Sequence, residues 1–121
     1  MIAKAIHADQ ILQHGGSSGI RDENLLAASL ARPRHLFIYG QPNLFELAAA
    51  YGYGLAKNHP FIDGNKRTTF MVMYTFLGLN NYLLEVGEPA VVKMMEQLAS
   101  GEENQESLGE WLAENSVNQN L

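Results

Sequence analysis

Ten consecutive residues, His59-Pro60-Phe61-Ile62-Asp63-Gly64-Asn65-Lys66-Arg67-Thr68, set a base, a carboxylate, a tight turn and two cations side by side. The imidazole of His59 can take a proton from an attacking hydroxyl near neutral pH. Asp63 can hold magnesium, an ion that favours one or two carboxylates together with substrate phosphates. Gly64-Asn65 forms a turn leading into Thr69-Phe70-Met71-Val72-Met73-Tyr74, which reads as a helix body. Such a helix start offers unpaired backbone N–H groups and the positive end of a dipole, and both attract phosphate. The chemistry this describes is phosphoryl or nucleotidyl transfer.

Each residue also has a plainer use. His59 could stabilise the dipole of a preceding helix end, Asp63 could simply form a turn before Gly64, and Asn65 could cap a helix. Phe61 reads as an anchor that pins the loop into a core. Gly64 lets a phosphate approach the backbone closely and permits positive φ. Lys66 and Arg67 could be a solvated helix start, but that is a poor place for two cations. A cation at a helix N-terminus is unfavourable by about 0.3–1 kcal/mol, so something anionic belongs there. Arg67 suits forked contact with phosphate oxygens, and Lys66 supplies a mobile point charge.

The elements that must position these groups read as helices punctuated by Gly, Pro and Asn. A first helix is expected over Ala8–His14, ended by Gly15-Gly16. Asp22 caps a second, which Pro33 ends. Asn43 and Glu46 form a reciprocal cap for a third, running to Asn58, with Leu44, Leu47, Ala48, Tyr51 and Leu55 as its apolar face. The fourth, Asn65 to Leu79, is apolar on nearly every side and is expected at the centre of the bundle. Pro89 opens a fifth that Gly101 closes, and Ser107 with Glu110 caps a sixth. His35 to Gly40 reads as extended, and residues 116–121 as a frayed tail. Gly15-Gly16-Ser17-Ser18-Gly19 lacks the Lys-Ser/Thr of a P-loop and reads as a connection. His7 and His14 lack a third metal ligand, and Met71, Met73, Met94 and Met95 are core filling. The fold class is all-α, a compact bundle in one domain spanning 1–121.

Composition narrows the options. With 121 residues, 46% hydrophobic and 17% charged, the chain can bury one core. A net charge of -5 with eight basic residues disfavours a nucleic-acid-binding regulator. The absence of cysteine removes disulfides and thiolate metal sites. No apolar run reaches membrane-spanning length and no signal pattern opens the chain, so a cytoplasmic location without membrane contact is the default expectation.

The motif resembles the signature of the Fic/Doc superfamily, His-x-Phe-x-Asp/Glu-Gly/Ala-Asn-Gly/Lys-Arg, at His59, Phe61, Asp63, Gly64, Asn65, Lys66 and Arg67. Gly19-Ile20-Arg21-Asp22, Leu30-Ala31-Arg32-Pro33-Arg34 and Leu44 to Tyr51 are similar to its death-on-curing branch, so the likeness runs from about His7 to Asn115. The resemblance implies a helical Fic-like fold around the motif helix, with ATP and magnesium as cofactors. His59, Asp63, Lys66 and Arg67 would be catalytic, Asp63 would ligate magnesium, and Gly64, Asn65, Lys66 and Arg67 would hold phosphate. A flap that lays out the target chain would fall to His35–Gly40, with His35, Ile38 and Tyr39 as its contacts; the alternative is an irregular connection tucked against the core.

Position 66 separates two chemistries within the resemblance. Adenylyl-transferring Fic enzymes typically carry Gly there, whereas the Doc-like branch carries Lys, as here. Lys66 therefore implies a toxin-type protein Ser/Thr kinase whose target is of the elongation factor Tu class. AMP transfer to protein hydroxyls is the alternative, and a helical binding module without turnover is a second. No Ser/Thr-x-x-x-Glu-Gly/Asn inhibitory pattern occurs, because Ala99 and Glu110 stand where it needs Ser or Thr. The family expectation is restraint in trans by a Phd-like antitoxin whose disordered C-terminal segment folds into a groove near the site.

Overall fold

A computed structural model describes residues 2–119. Six helices are joined by short loops, with a two-stranded ribbon added near the C-terminus. Helix α1 spans Ile2–His14, α2 Glu23–Tyr39, α3 Leu44–Asn58 and α4 Asn65–Leu79. Strand β1, Tyr82–Leu84, then precedes α5, Glu88–Ser100, and α6, Gln105–Glu114, before β2 at Ser116–Asn118. The fold class is all-α, as the sequence predicts.

Helix α3 is the centre of the bundle, where the sequence places α4. The Asn43 side chain accepts from the Glu46 N–H and the Glu46 carboxylate accepts from the Asn43 N–H, the expected reciprocal cap. Its buried set is Ala48, Ala49, Ala50, Gly52, Gly54, Leu55 and Ala56, whereas Leu44, Leu47 and Tyr51 are only half-buried. The small residues explain the difference, because they let α2, α4, α5 and α6 all close on one helix. A Cβ on Gly54 would lie 2.8 Å from Arg32 Cδ and 3.1 Å from Ser29 Cα.

That contact also explains why α2 does not stop at Pro33. Ser29 is fully buried, and its hydroxyl lies 2.8 Å from the Leu25 carbonyl and 3.2 Å from the Gly54 carbonyl. It also accepts from Asn58 Nδ2 at 2.9 Å. Packing on α3 thus holds α2 helical through a buried Pro33 to Tyr39, overriding the local preference for a break. The extended His35–Gly40 stretch does not form.

Other boundaries move for local reasons. Helix α1 begins six residues before Ala8, at Ile2. Helix α6 starts one turn early, because Asn104 accepts from the Ser107 N–H at 2.8 Å and the Ser107 hydroxyl accepts from the Asn104 N–H at 2.9 Å. Ser107 is the partner in that cap, not the cap itself. The predicted frayed tail is in part β2, which pairs antiparallel with β1 in the register Tyr82–Asn118, Leu83–Val117 and Leu84–Ser116. Residues 120 and 121 lie outside the described range.

Two apolar clusters result. One joins Met73, Leu77, Met94, Met95, Leu98, Leu108 and Leu112 beneath α3. The other gathers Ala3, Leu26, Leu55 and Val72 around Phe61 of the motif. Phe61 is 2% exposed, a burial worth about 1.5–3 kcal/mol. The motif loop is thereby nailed to the fold at its middle.

Candidate active site

The site forms where α3 ends and α4 begins. His59 is the C-cap of α3, in the left-handed region at φ 45 and ψ 58, and its N–H donates to the Leu55 carbonyl at 3.2 Å. Its imidazole is half-buried and carries no hydrogen bond to the protein among the described residues. Pro60 and Phe61 then turn inward, while Ile62 and Asp63 face solvent. Gly64, at φ 73, is the N-cap of α4 and supplies no side-chain cap. The helix start is left open.

Asn65 is not the cap that its type suggests. It is the first helical residue, and its carboxamide reaches back to Phe61, accepting from the N–H at 3.0 Å and donating to the carbonyl at 2.9 Å. Its side chain therefore shapes the loop, and only its backbone N–H belongs to the open helix start.

The Gly-rich segment forms the other wall. Asp63 Oδ1 accepts from the Gly64 N–H at 2.8 Å and Oδ2 from the Ser17 N–H at 3.2 Å. A Cβ on Gly16 would fall 2.6 Å from that Oδ2, at a residue with φ 111. The positive φ favours glycine there, and a Cβ would push the Asp63 carboxylate off its Ser17 N–H. Further bonds run from Ile62 N–H to the Gly19 carbonyl, and from Arg67 to the Gly15 carbonyl at 3.4 Å. What reads as a bare connection in sequence is the brace of the carboxylate.

A second support lies beneath. His7 is 4% exposed, stacks on Phe61 at 4.0 Å with rings 5° from parallel, and brings Nε2 within 2.8 Å of the Asp63 carbonyl. Nothing in the local pattern joins His7 to the motif; its burial beside Gln10, another buried polar residue of α1, emerges only in the fold.

The electrostatics are uneven. The Ser17 N–H, then the Gly64 N–H, hold the Asp63 carboxyl below its ordinary 3.8, partial desolvation opposes them, and the Arg67 charge adds to the lowering. Lys66 and Arg67 are exposed, and neither has a carboxylate partner, the one ion pair among the described residues being Lys4–Glu23. His59 and residues 62 to 67 line an open depression of about 280 Å³. An anion there would meet two cations and the amides of a helix start.

The residues fit magnesium only in company. Among the described residues no group of three or more His, Cys, Asp or Glu side chains gathers to hold a metal. Asp63 is a single exposed carboxylate, the donor set of an ion that completes its shell with water and phosphate oxygens.

The expected flap residues are elsewhere. Arg21, just before α2, reaches the end of α3, so the far end of α2 lies beside the start of α3. Helix α3, of 15 residues and roughly 22 Å, lies between His59 and the last turn of α2, which carries Ile38 and Tyr39. His35 is not among the residues that line the depression. Ile38 and Tyr39 are 59% and 86% exposed on the last turn of α2. They do not line this site. Thr68 Oγ1 is enclosed without a partner below the first turn of α4.

A helical bundle that mounts this loop at the start of its motif helix is a Fic/DOC protein. The family model, described as the Fic/DOC family, matches residues 2–77, and the chain belongs to that family. Among its relatives is the protein named Toxin Doc of Mycolicibacterium smegmatis, 44% identical over 73 residues. That match covers 58% of this chain and 55% of the relative, little more than half of its length. The protein named Protein kinase doc of Escherichia phage P1 is 29% identical over 109 residues, covering 89% of this chain and 86% of that one. Among the described residues no helix is long and apolar enough to cross a membrane.

Proposed function

We propose that this chain is a Doc-type toxin that transfers the γ-phosphate of ATP to a Ser or Thr hydroxyl of an elongation factor Tu-class protein, restrained by an antitoxin in trans. The observation that carries the reading is Lys66. It sits on the first turn of α4, lines the same depression as His59 and Asp63, and has no acidic partner among the described residues. A long cation there occupies space that a glycine would leave to a second phosphate. The relative named Protein kinase doc supports a kinase, and the one named Toxin Doc supports an antitoxin partner.

In this reading His59 accepts the proton of the target hydroxyl as its oxygen bonds to the γ-phosphorus and the bond to the ADP oxygen breaks. Arg67, Lys66 and the open amides of α4 stabilise charge on the transferring group. Asp63 would hold magnesium against the phosphates, and the ion would neutralise charge on the leaving ADP. Incubation of the target with γ-labelled and, separately, α-labelled ATP tests the assignment. Label from the γ position alone supports it, and label from the α position makes the chain an AMP transferase.

A further inference from the structure

We propose that Arg21 is a positioning residue for His59, fixing the backbone from which the imidazole is presented. The proposal rests on the reading of His59 as the base.

Helix α3 ends in carbonyl groups that have no partner within the helix. Arg21 Nε donates to the His59 carbonyl at 2.7 Å, and a terminal guanidinium nitrogen donates to the Asn58 carbonyl at 2.6 Å. The next carbonyl, of Pro60, accepts from the Arg21 N–H at 2.7 Å and the Asp22 N–H at 3.2 Å. Three successive carbonyls across the turn are thus bound by one residue and its neighbour. The planar fork matches that spacing, and its charge faces the negative end of the α3 dipole.

His59 needs such a hold. It is one of two non-glycine residues at positive φ among those described, a conformation that persists only where the surroundings over-determine it. No hydrogen-bond partner among the described residues restrains the imidazole, so its placement depends on where the backbone sets its Cα and Cβ. Ile20 and Phe61 form an isolated antiparallel bridge just beyond, which keeps the Arg21 backbone in register with the loop. Arg21 does not itself line the depression and meets it only at the His59 backbone, so its influence on transfer runs through His59.

The test compares wild type with Arg21→Ala, Arg21→Gln and Arg21→Lys. One readout is transfer kinetics, and the other is the NMR signals of the His59 ring and backbone amide. Removal of the fork is expected to lower kcat on the order of 10- to 100-fold with KM for ATP nearly unchanged, because misplacement of a reacting group acts on the chemical step. Lysine, which keeps the charge but not the planar fork, should recover part of the loss. The His59 signals should move in Ala and Gln variants that remain folded. If Arg21→Ala does not fold, Arg21→Gln carries the comparison. Wild-type kcat together with unmoved His59 signals in a folded variant would overturn the proposal, as would a loss of stability alone. If wild type itself transfers nothing, the kinase reading fails, and the NMR comparison still decides whether Arg21 sets His59.

Discussion

The side chain of Asn65 and the backbone of Phe61 close a two-bond ring across the motif turn, at 3.0 Å and 2.9 Å. The same residue therefore opens α4 and ties down the loop before it. Replacing Asn65 with Ala leaves a buried N–H and C=O of Phe61 unpaired, which should destabilise the fold by about 1–3 kcal/mol. Asn65→Asp keeps the acceptor and loses the donor, so urea denaturation should place it between wild type and Ala. Equal stability of all three would show that the ring does not hold the loop.

Asp63 gives a prediction in pH. Its carboxyl is held below 3.8 by the Ser17 and Gly64 N–H groups, so it contributes stability that is fully present above 3.8. That contribution disappears as pH falls through the lower value of the folded state. Carboxyl NMR should show a midpoint below 3.8 for Asp63. In Asp63→Asn the corresponding stability step should vanish from acid denaturation curves. A midpoint at or above the ordinary value would mean that the Gly-rich segment does not brace the carboxylate in solution.

His7 should be felt at the site despite lying under it. His7→Leu preserves bulk against Phe61 but removes the partner of the Asp63 carbonyl, a loss worth about 1–3 kcal/mol of stability. Magnesium-dependent nucleotide binding by calorimetry should weaken as well, because Asp63 loses one of its supports. A variant with lower stability and unchanged binding would confine His7 to the core.

The α2–α3 contact has no slack at Gly54. Gly54→Ala gains up to about 1 kcal/mol of helix propensity. Its Cβ would nonetheless press on the Ser29 backbone at 3.1 Å, and overpacking of this kind costs about 1–3 kcal/mol. Net destabilisation in a thermal melt is the expected outcome, and a stabilised variant would show that the helices can part.

What could be read from the sequence follows the range of each interaction. The motif loop was legible because its chemistry lies in consecutive residues, and the Asp22 and Asn43 caps because a cap acts over three residues. The Gly-rich segment was not, since Ser17 meets Asp63 only through folding. His7 was hidden for the same reason. The error at Pro33 came from a local rule that buried packing on Ser29 and Gly54 overrode, and it carried the flap assignment with it. Strands of three residues, such as β1 and β2, are too short for periodicity to reveal. Lys66 was legible in type, but its lack of an ion-pair partner among the described residues required the structure.

The most direct measurement is the intact mass of purified elongation factor Tu after incubation with this protein, ATP and magnesium, with His59→Ala in parallel. The account predicts a gain of one phosphate with wild type and none with the variant. An AMP-sized gain, or an equal gain with His59→Ala, would contradict it.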